Sequence, residues 1–413
     1  MATLPEFPII FTHPEPSKCL PRARHLNTTM TTDQPILTLV NPTPGERIRL
    51  AEGTFSEWGR SMTLESYLAR ETDSVGPLNR NGGLLGWLLT TAGSKPDDRP
   101  LLTSCDTLRK RALVKGKDGE VKDVFAQGVA SVFTPKDQRG KGYAGRMMGL
   151  LAHTLAARAN EDEEDASGGK TPALFSILFS DVGKEFYAKK GWKAFPSTHF
   201  KFPVTATQDY PLPEGVEYIT SEDEIAQLSA RDETLLRDRL RNQPTDPSRV
   251  TVAIIPDNDH MLWHFNRENI GSKALYPSEP TPQVHGARVT IGDGATRAWA
   301  LWARKLRDAD IEKNTLYFLR LVIESPESVS DKELGEAIGK LVTAAKREAK
   351  STKCSKVQMW SPEERVKRVV DAQQGLDAEY VVRETDSISS LAWFGEESVD
   401  NVDWVIPEQY AWC

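Results

Sequence analysis

Apolar residues in this chain recur at two spacings, alternate and helical, and the changes from one to the other divide it into elements. Ile36 to Val40 reads as a short strand. From Pro44 to Arg70, Leu50, Phe55, Trp58, Leu64, Tyr67 and Leu68 fall at helical intervals broken near Gly59, so two short helices are expected. Gly86 to Thr91 and Leu101 to Val114 are the next strands, split by the polar loop Gly93 to Arg99. A turn at Gly116 to Gly119 leads into a strand over Val124 to Thr134 that stops at Pro135. After the charged turn Asp137 to Gly142, Met147, Met148, Leu150, Leu151 and Leu155 predict a helix over Gly142 to Ala159. The acidic run Glu161 to Lys170 reads as a solvated loop. Ala173 to Ser180 is a buried strand, followed by a short helix ended by Gly191 and a strand near His199 to Phe202.

The second half repeats this general plan. Thr205 to Gly215, with Pro211 and Pro213, has linker composition. Ser221 to Leu240 is a charged helix whose Ser221 and Glu224 match a capping box. Strands follow at Val250 to Ile255, His260 to Phe265, Val284 to Ile291, Ala298 to Arg304 and Leu316 to Glu324. A helix over Asp331 to Ala349 and a strand over Ser355 to Trp360 come next. The pattern is mixed α/β in two domains, residues 34–204 and 216–413, joined by residues 205–215 and preceded by a disordered tail, residues 1–33.

The turn between strand and helix carries the chemistry. Gly140 and Gly142 lack a Cβ, so the backbone can turn sharply and admit a bulky anion. The free N–H groups of a helix start favour a phosphate there, and Arg139 and Lys141 add positive charge. A P-loop needs Ser or Thr after the lysine, and Gly142 stands in that place. Gly140-x-Gly142-x-x-Gly145 fits a dinucleotide fingerprint in spacing, but Pro135 to Arg139 intervene after the strand. The acids that follow, Glu161 to Asp165, sit in a loop and do not end a second strand.

Arg139-Gly140-Lys141-Gly142-Tyr143-Ala144 has the form Arg-x-x-Gly-x-Ala, preceded by Val132-x-Thr134-Pro135. Phe186 to Trp192 follows at a suitable distance, with the form Tyr-x-x-x-Gly-Trp. Together these resemble the acetyl-CoA site of the GNAT superfamily of N-acetyltransferases. The resemblance implies a GNAT fold, a mostly antiparallel mixed sheet flanked by helices. It implies that main-chain atoms of Val132, Phe133 and Thr134 hold the pantetheine arm. Arg139, Gly140, Lys141, Gly142, Tyr143 and Ala144 would hold the pyrophosphate, and Tyr187 would be the general acid at the thioester sulfur. A phenol suits that task because its ordinary pKa of ~10 keeps it protonated at neutral pH. No general base is visible. The second half has the acidic, glycine-free Glu324 to Ser328 where the first has its turn, so a degenerate GNAT-like domain without a CoA site is expected.

The layout most resembles the fungal lysine N-acetyltransferase family of lysine catabolism. The features are Phe55-x-x-Trp58-Gly59-x-Ser61-x-Thr63-Leu64-Glu65-x-Tyr67-Leu68, Thr134 to Ala144, and Asp181-Val182-Gly183 running into Phe186 to Trp192. The resemblance implies transfer from acetyl-CoA to the ε-amine of free L-lysine in a ternary complex. It makes Glu57, Trp58, Glu65 and Tyr67 candidates for acceptor contacts, against the alternative of core aromatics and solvated acids. In tandem GNAT proteins of the enhanced intracellular survival type the C-terminal carboxylate enters the active site. By that resemblance the carboxylate of Cys413 would orient or deprotonate the amine; alternatively, Trp412 simply anchors an edge strand.

Composition narrows the field. At 413 residues, 39% hydrophobic and 27% charged, the chain reads as a soluble two-domain protein. A net charge of -7 argues against a nucleic-acid partner, and no apolar run approaches the ~20 residues of a membrane span. Cys19, Cys105, Cys354 and Cys413 are scattered, which suggests reduced thiols in a cytoplasmic setting and no metal. His260 and His264 would face together only on a helix, whereas their context reads as strand. Two other classes stay open: a dinucleotide-dependent oxidoreductase using Gly140, Gly142 and Gly145, and a non-catalytic acyl-CoA-binding protein.

Overall fold

The structure, a computed structural model, describes residues 35–59, 62–73, 76–159, 163–164, 170–292, 294, 296–307 and 309–412. The tail expected to be disordered lies outside them. In the first half the chain forms β1 (Leu37–Val40), α1 (Pro44–Trp58), α2 (Leu64–Asp73), β2 (Leu84–Thr91), β3 (Thr103–Lys115), β4 (Val121–Phe133) and α3 (Tyr143–Arg158). Two short strands, β5 (Glu163–Glu164) and β6 (Lys170–Thr171), pair within the acidic segment expected as a loop. Then come β7 (Ala173–Ser180), α4 (Glu185–Ala188), β8 (Lys193–Ala194) and β9 (Thr198–Pro203).

The second half contributes β10 (Val216–Ile219), α5 (Glu222–Asn242), β11 (Val250–Ile254), α6 (Asn258–Leu275), β12 (Gly286–Ile291), β13 (Thr296–Lys305) and β14 (Thr315–Ile323). It ends with α7 (Asp331–Ser351), β15 (Lys356–Trp360), α8 (Glu364–Asp371), β16 (Glu379–Val382), β17 (Ile388–Trp393) and β18 (Val402–Trp404).

Local chemistry accounts for the helix starts. Thr43 caps α1 in a reciprocal box with Glu46, ahead of Pro44 at the first helical position. Ser330 and Glu333 do the same for α7. On α3, Met147, Met148, Leu151 and Leu155 form the buried stripe that seats the helix on the first sheet. Removing one such leucine side chain costs about 2–5 kcal/mol.

Among the described residues, the larger sheet runs β1-β2-β3-β4-β7-β17-β8, with β11 also on β3 and β18 on β11. The smaller runs β10-β12-β13-β14-β15-β9-β16. β4 and β7 are parallel, as are β14 and β15, so each half has a strand-helix-strand unit with parallel strands. Both sheets cross the boundary expected at residues 205–215. β9, expected to close the first sheet, lies between β15 and β16 of the second. β17 takes the place beside β7, and β11 covers the far end of β3. One core cluster accordingly joins Phe175 and Ile177 to Val252, Trp299, Leu391 and Tyr410.

His260 to Phe265, expected as a strand, is the first part of α6. Asp257 caps that helix through the His260 N–H. His260, Met261, Trp263, His264, Phe265 and Glu268 are all buried, so the helix is covered on several faces and shows no apolar stripe to betray its period. His260 and His264 therefore do share a helix, where His260 Nδ1 meets Asp257 at 2.7 Å and His264 Nε2 meets the Tyr410 carbonyl at 3.3 Å. Burial pushes both rings below the usual histidine range, as fits packed, neutral imidazoles.

Candidate active site

The site begins where two parallel strands part. β4 pairs with β7 from Phe125 and Ala173 to Gly128 and Ile177. Beyond that point β4 continues only against β3, while β7 continues against β17. The junction is pinned from behind. Trp192, fully buried, donates from Nε1 to Ser176 Oγ at 3.0 Å, and Ser176 donates to the Gln127 carbonyl at 2.7 Å. The tryptophan of the second motif is thus a core residue that fixes the opening. Past it, β4 carries a bulge against β3 between Ser104 and Asp106, and Ser131 takes φ +55°.

β4 then runs through Pro135 and a 3₁₀ turn, Lys136–Gln138, into the glycine turn. Gly140 and Gly142 have φ +79° and +78°, and no atom lies within 4 Å of where a Cβ would stand on either. Gly142 is the N-cap of α3 and supplies no side-chain cap, so the first N–H groups of a 16-residue helix face the turn. Backbone donors, open space and the nearby Arg139 and Lys141 together fit a diphosphate. Arg139 is partly engaged: it donates to Glu57 at 3.0 Å and to the Thr134 carbonyl at 3.1 Å. Lys141 donates to Gln138 at 3.1 Å. Thr134 Oγ1 lies 3.0 Å from Thr103 Oγ1. Tyr143 and Ala144 open α3 half-buried, and Val132 and Phe133 line the end of β4.

A cleft of about 660 Å³ opens along the parted strands, lined in part by Trp58, Trp87, Asp106, Val132, Tyr187 and Trp412. Tyr187 stands edge-on to Phe186, with ring centroids 4.9 Å apart. Burial pushes its phenol well above the usual tyrosine range, so it stays protonated.

Of the four candidate acceptor residues, Trp58 reaches the cleft, edge-on to Phe133 at 5.7 Å. Tyr67 is fully buried, its hydroxyl 2.6 Å from Thr54 Oγ1. Glu65 is exposed, and Glu57 is turned to Arg139 and Lys136. Ser61 and Cys413 lie outside the described residues. Trp412 lines the cleft, 5.8 Å from the Trp263 ring and 4.1 Å from Lys305 Nζ. Its position is held from behind by Tyr410, whose hydroxyl donates to the Ile254 carbonyl at 2.7 Å. Glu408 adds to that anchorage by accepting from Arg320 and from the Leu321 N–H.

Several cleft residues were not singled out from sequence. Asp106 on β3, Arg47 on α1, Glu71 on α2 and Arg267 on α6 all line it. Asp106 lies deep in the protein but keeps 31% of its side-chain surface open to the cleft. Burial pushes its carboxyl up to about 6, with Arg47 opposing, Glu71 adding and a Ser131 hydrogen bond opposing. The signal available in the sequence was an isolated acid in the otherwise apolar or neutral run Thr103 to Leu108. At the cleft's other margin, Asp181 accepts from the Ser387 N–H at 3.0 Å, and burial with Asp181 beside it raises Asp386.

The equivalent turn of the second half is filled by its own side chains. Arg365 donates to the Asp331 carboxylate at 2.8 Å and to the carbonyls of Pro326 and Val329. Among the described residues no group of three or more His, Cys, Asp or Glu could hold a metal ion, and no helix is long and apolar enough to cross a membrane. Cys105 and Cys354 are buried free thiols.

Residues 199–413, just over half of the chain, match the family described as the LYC1 GNAT-like C-terminal domain. The chain belongs to that family. Its fold is accordingly GNAT followed by a GNAT-like half, and a solved structure agrees. That structure is a conserved protein of unknown function from Enterococcus faecalis, described as a probable N-acyltransferase. It superposes with a TM-score of 0.51 over 87% of this chain and 73% of its own, at 11% identity. A Yarrowia lipolytica protein named lysine acetyltransferase is 27% identical over 351 residues, 76% of this chain and 82% of its own length. The LYC1-like match begins at β9, the strand by which the first half enters the second sheet.

Proposed function

We propose that this chain, a GNAT N-acyltransferase, moves the acetyl group of acetyl-CoA to the ε-amine of free L-lysine, with both substrates bound together. The observation that carries the reading is the parting of β4 from β7 beyond Gly128 and Ile177, close before an open glycine turn at the head of α3. In this reading main-chain groups of Val132, Phe133 and Thr134 hold the pantetheine arm. The turn from Arg139 through Gly140, Lys141, Gly142 and Tyr143 to Ala144 holds the diphosphate. Tyr187 gives its proton to the departing sulfur, and holding amine and thioester in register supplies much of the rate.

The name of the Yarrowia relative supports lysine as the acceptor. The cleft carries carboxylates (Glu71, Asp106, Asp181), cations (Arg47, Arg267, Lys305) and the apolar faces of Trp87, Leu178 and Trp263, so it offers partners for the ammonium, the carboxylate and the aliphatic stem of an amino acid such as lysine. The reaction would serve lysine degradation in a reducing, cytoplasmic setting. Calorimetry with acetyl-CoA, followed by thiol release in an amine screen, tests the proposal. Binding, with turnover highest on L-lysine, is expected; binding without turnover on any amine, or binding of a nicotinamide cofactor instead, overturns it.

A further inference from the structure

The proposed transfer requires that an ammonium lose a proton before it attacks, and the sequence offered no base for that step. This inference rests on the reading of the cleft as an acyl-transfer site. We infer that Asp106 is the group that receives the proton of the acceptor amine.

Its place in the sheet is the first reason. Asp106 pairs across β3 and β4 with Ala130, two residues beyond the last β4–β7 pair at Gly128, so it stands where the opening begins. The bulge at that point turns Ser131 to φ +55°, and its hydroxyl bonds the Asp106 carboxylate. Both residues line the cleft that Tyr187 lines.

Its charge environment is the second reason. Glu71 is held by Arg70 at 2.7 Å, and Asp181 by the Ser387 N–H at 3.0 Å. The Arg47 guanidinium approaches Asp106 only to 3.8 Å, beyond hydrogen-bond reach, so it tempers the charge without covering it. The groups around the carboxylate are Arg47 from α1, Glu71 from α2, Cys105 beside it on β3, Ser131 from β4, and Arg267 and His264 from α6 along the same cleft. Burial lifts its carboxyl to about 6, which leaves it ionised at pH 7 yet more basic than an ordinary aspartate.

The protons balance. The ammonium gives one proton to Asp106, which passes it to water. The neutral nitrogen forms its bond to the acetyl carbon as the carbon–sulfur bond breaks. Tyr187 protonates the sulfur and is restored by the second proton shed from nitrogen. The sum is amide, free CoA thiol and one released proton.

The test is the pH dependence of kcat/KM on the most active amine. The wild type should lose activity as pH falls through about 6, because Asp106 must be ionised. Asp106→Asn should lower kcat about 10²–10⁴-fold and flatten that acid limb, with acetyl-CoA affinity unchanged. Two further variants move the limb in opposite directions. Arg47→Gln removes a charge that lowers the Asp106 pKa, so the limb should shift to higher pH. Glu71→Gln removes one that raises it, so the limb should shift lower. Turnover by Asp106→Asn at the wild-type rate, or an unmoved limb in all three variants, overturns the role of Asp106 while leaving the acyl-transfer reading intact. A wild type that binds acetyl-CoA and acetylates no amine overturns both.

Discussion

Gly142 occupies the left-handed region at φ +78° with open space where a Cβ would project. A side chain there meets no neighbour in the free protein, so its cost comes from backbone strain and from filling the space meant for a ligand. Strain of that kind is on the order of 1–2 kcal/mol, more for a β-branched residue. Gly142→Val should therefore fold with a slightly lowered Tm and lose at least about tenfold in acetyl-CoA affinity by calorimetry. Full retained affinity would contradict the diphosphate assignment. Tyr187 makes the complementary case. Tyr187→Phe keeps the ring against Phe186 and removes the hydroxyl, so kcat should fall about 10²-fold while acetyl-CoA affinity holds. Because burial raises that phenol's pKa, no basic limb from Tyr187 should appear below pH 10. Both residues were legible in the sequence because each belongs to a short local pattern, glycines at a helix start or a tyrosine ahead of Gly191. Asp106 was not legible. Its character depends on a bulge in the neighbouring strand and on Arg47 and Glu71, which come from helices earlier in the chain.

The elements around the site depend on how their ends are closed, and α1 shows it best. Glu46 is fully buried and accepts from the Thr43 and Asp97 N–H groups and from Arg99 Nε and Nη2, each within 3.0 Å. Burial opposes its ionisation, but the Arg99 and backbone hydrogen bonds outweigh burial and hold the carboxyl at about 2. A carboxyl lowered in the folded state adds stability that is present above its ordinary value of 4.5 and is lost as pH falls toward 2. Glu46→Gln should thus cost on the order of 3 kcal/mol at neutral pH, since Arg99 is left without its carboxylate. The gap in Tm between variant and wild type should shrink steadily below pH 5. A gap that is flat from pH 7 to pH 3 would mean the carboxylate is not what closes the helix. The capping box itself could have been read from Thr43 and Glu46, but its link to Arg99 crosses 53 residues and could not. β2 and β7 were readable because they are short apolar runs, buried on both faces and bounded by turns, and α3 because it buries a single stripe at helical spacing. α6 failed that test because it is enclosed on several faces, and its Asp257 cap was the remaining clue.

At the scale of the whole molecule, strand exchange between the sheets decides how the protein folds. A fragment ending near residue 204 would carry β7 without its neighbour β17, and β3 without β11. The complementary fragment would leave β15 and β16 without β9 between them, exposing their facing edges. Each fragment would also lose part of the core cluster that joins Phe175 and Ile177 to Val252, Leu391 and Tyr410. Unpaired strand edges backed by bare apolar surface favour aggregation. Residues 205–215 have linker composition, with Pro211, Pro213 and Gly215, and are mostly exposed, although Tyr210 is buried. Pairings that span about 200 residues, such as β7 with β17, leave no mark on either strand alone. The expected outcome is that either half expressed by itself is insoluble. The two halves expressed together from separate reading frames should co-purify and recover turnover. The intact chain should unfold in one calorimetric transition whose enthalpy agrees with its van't Hoff value. A soluble first half that binds acetyl-CoA alone would show that β17 and β11 are dispensable. In that case the cleft would belong to the first sheet by itself, and the placing of Trp263, Arg267 and Trp412 on its wall would be incidental to the chemistry.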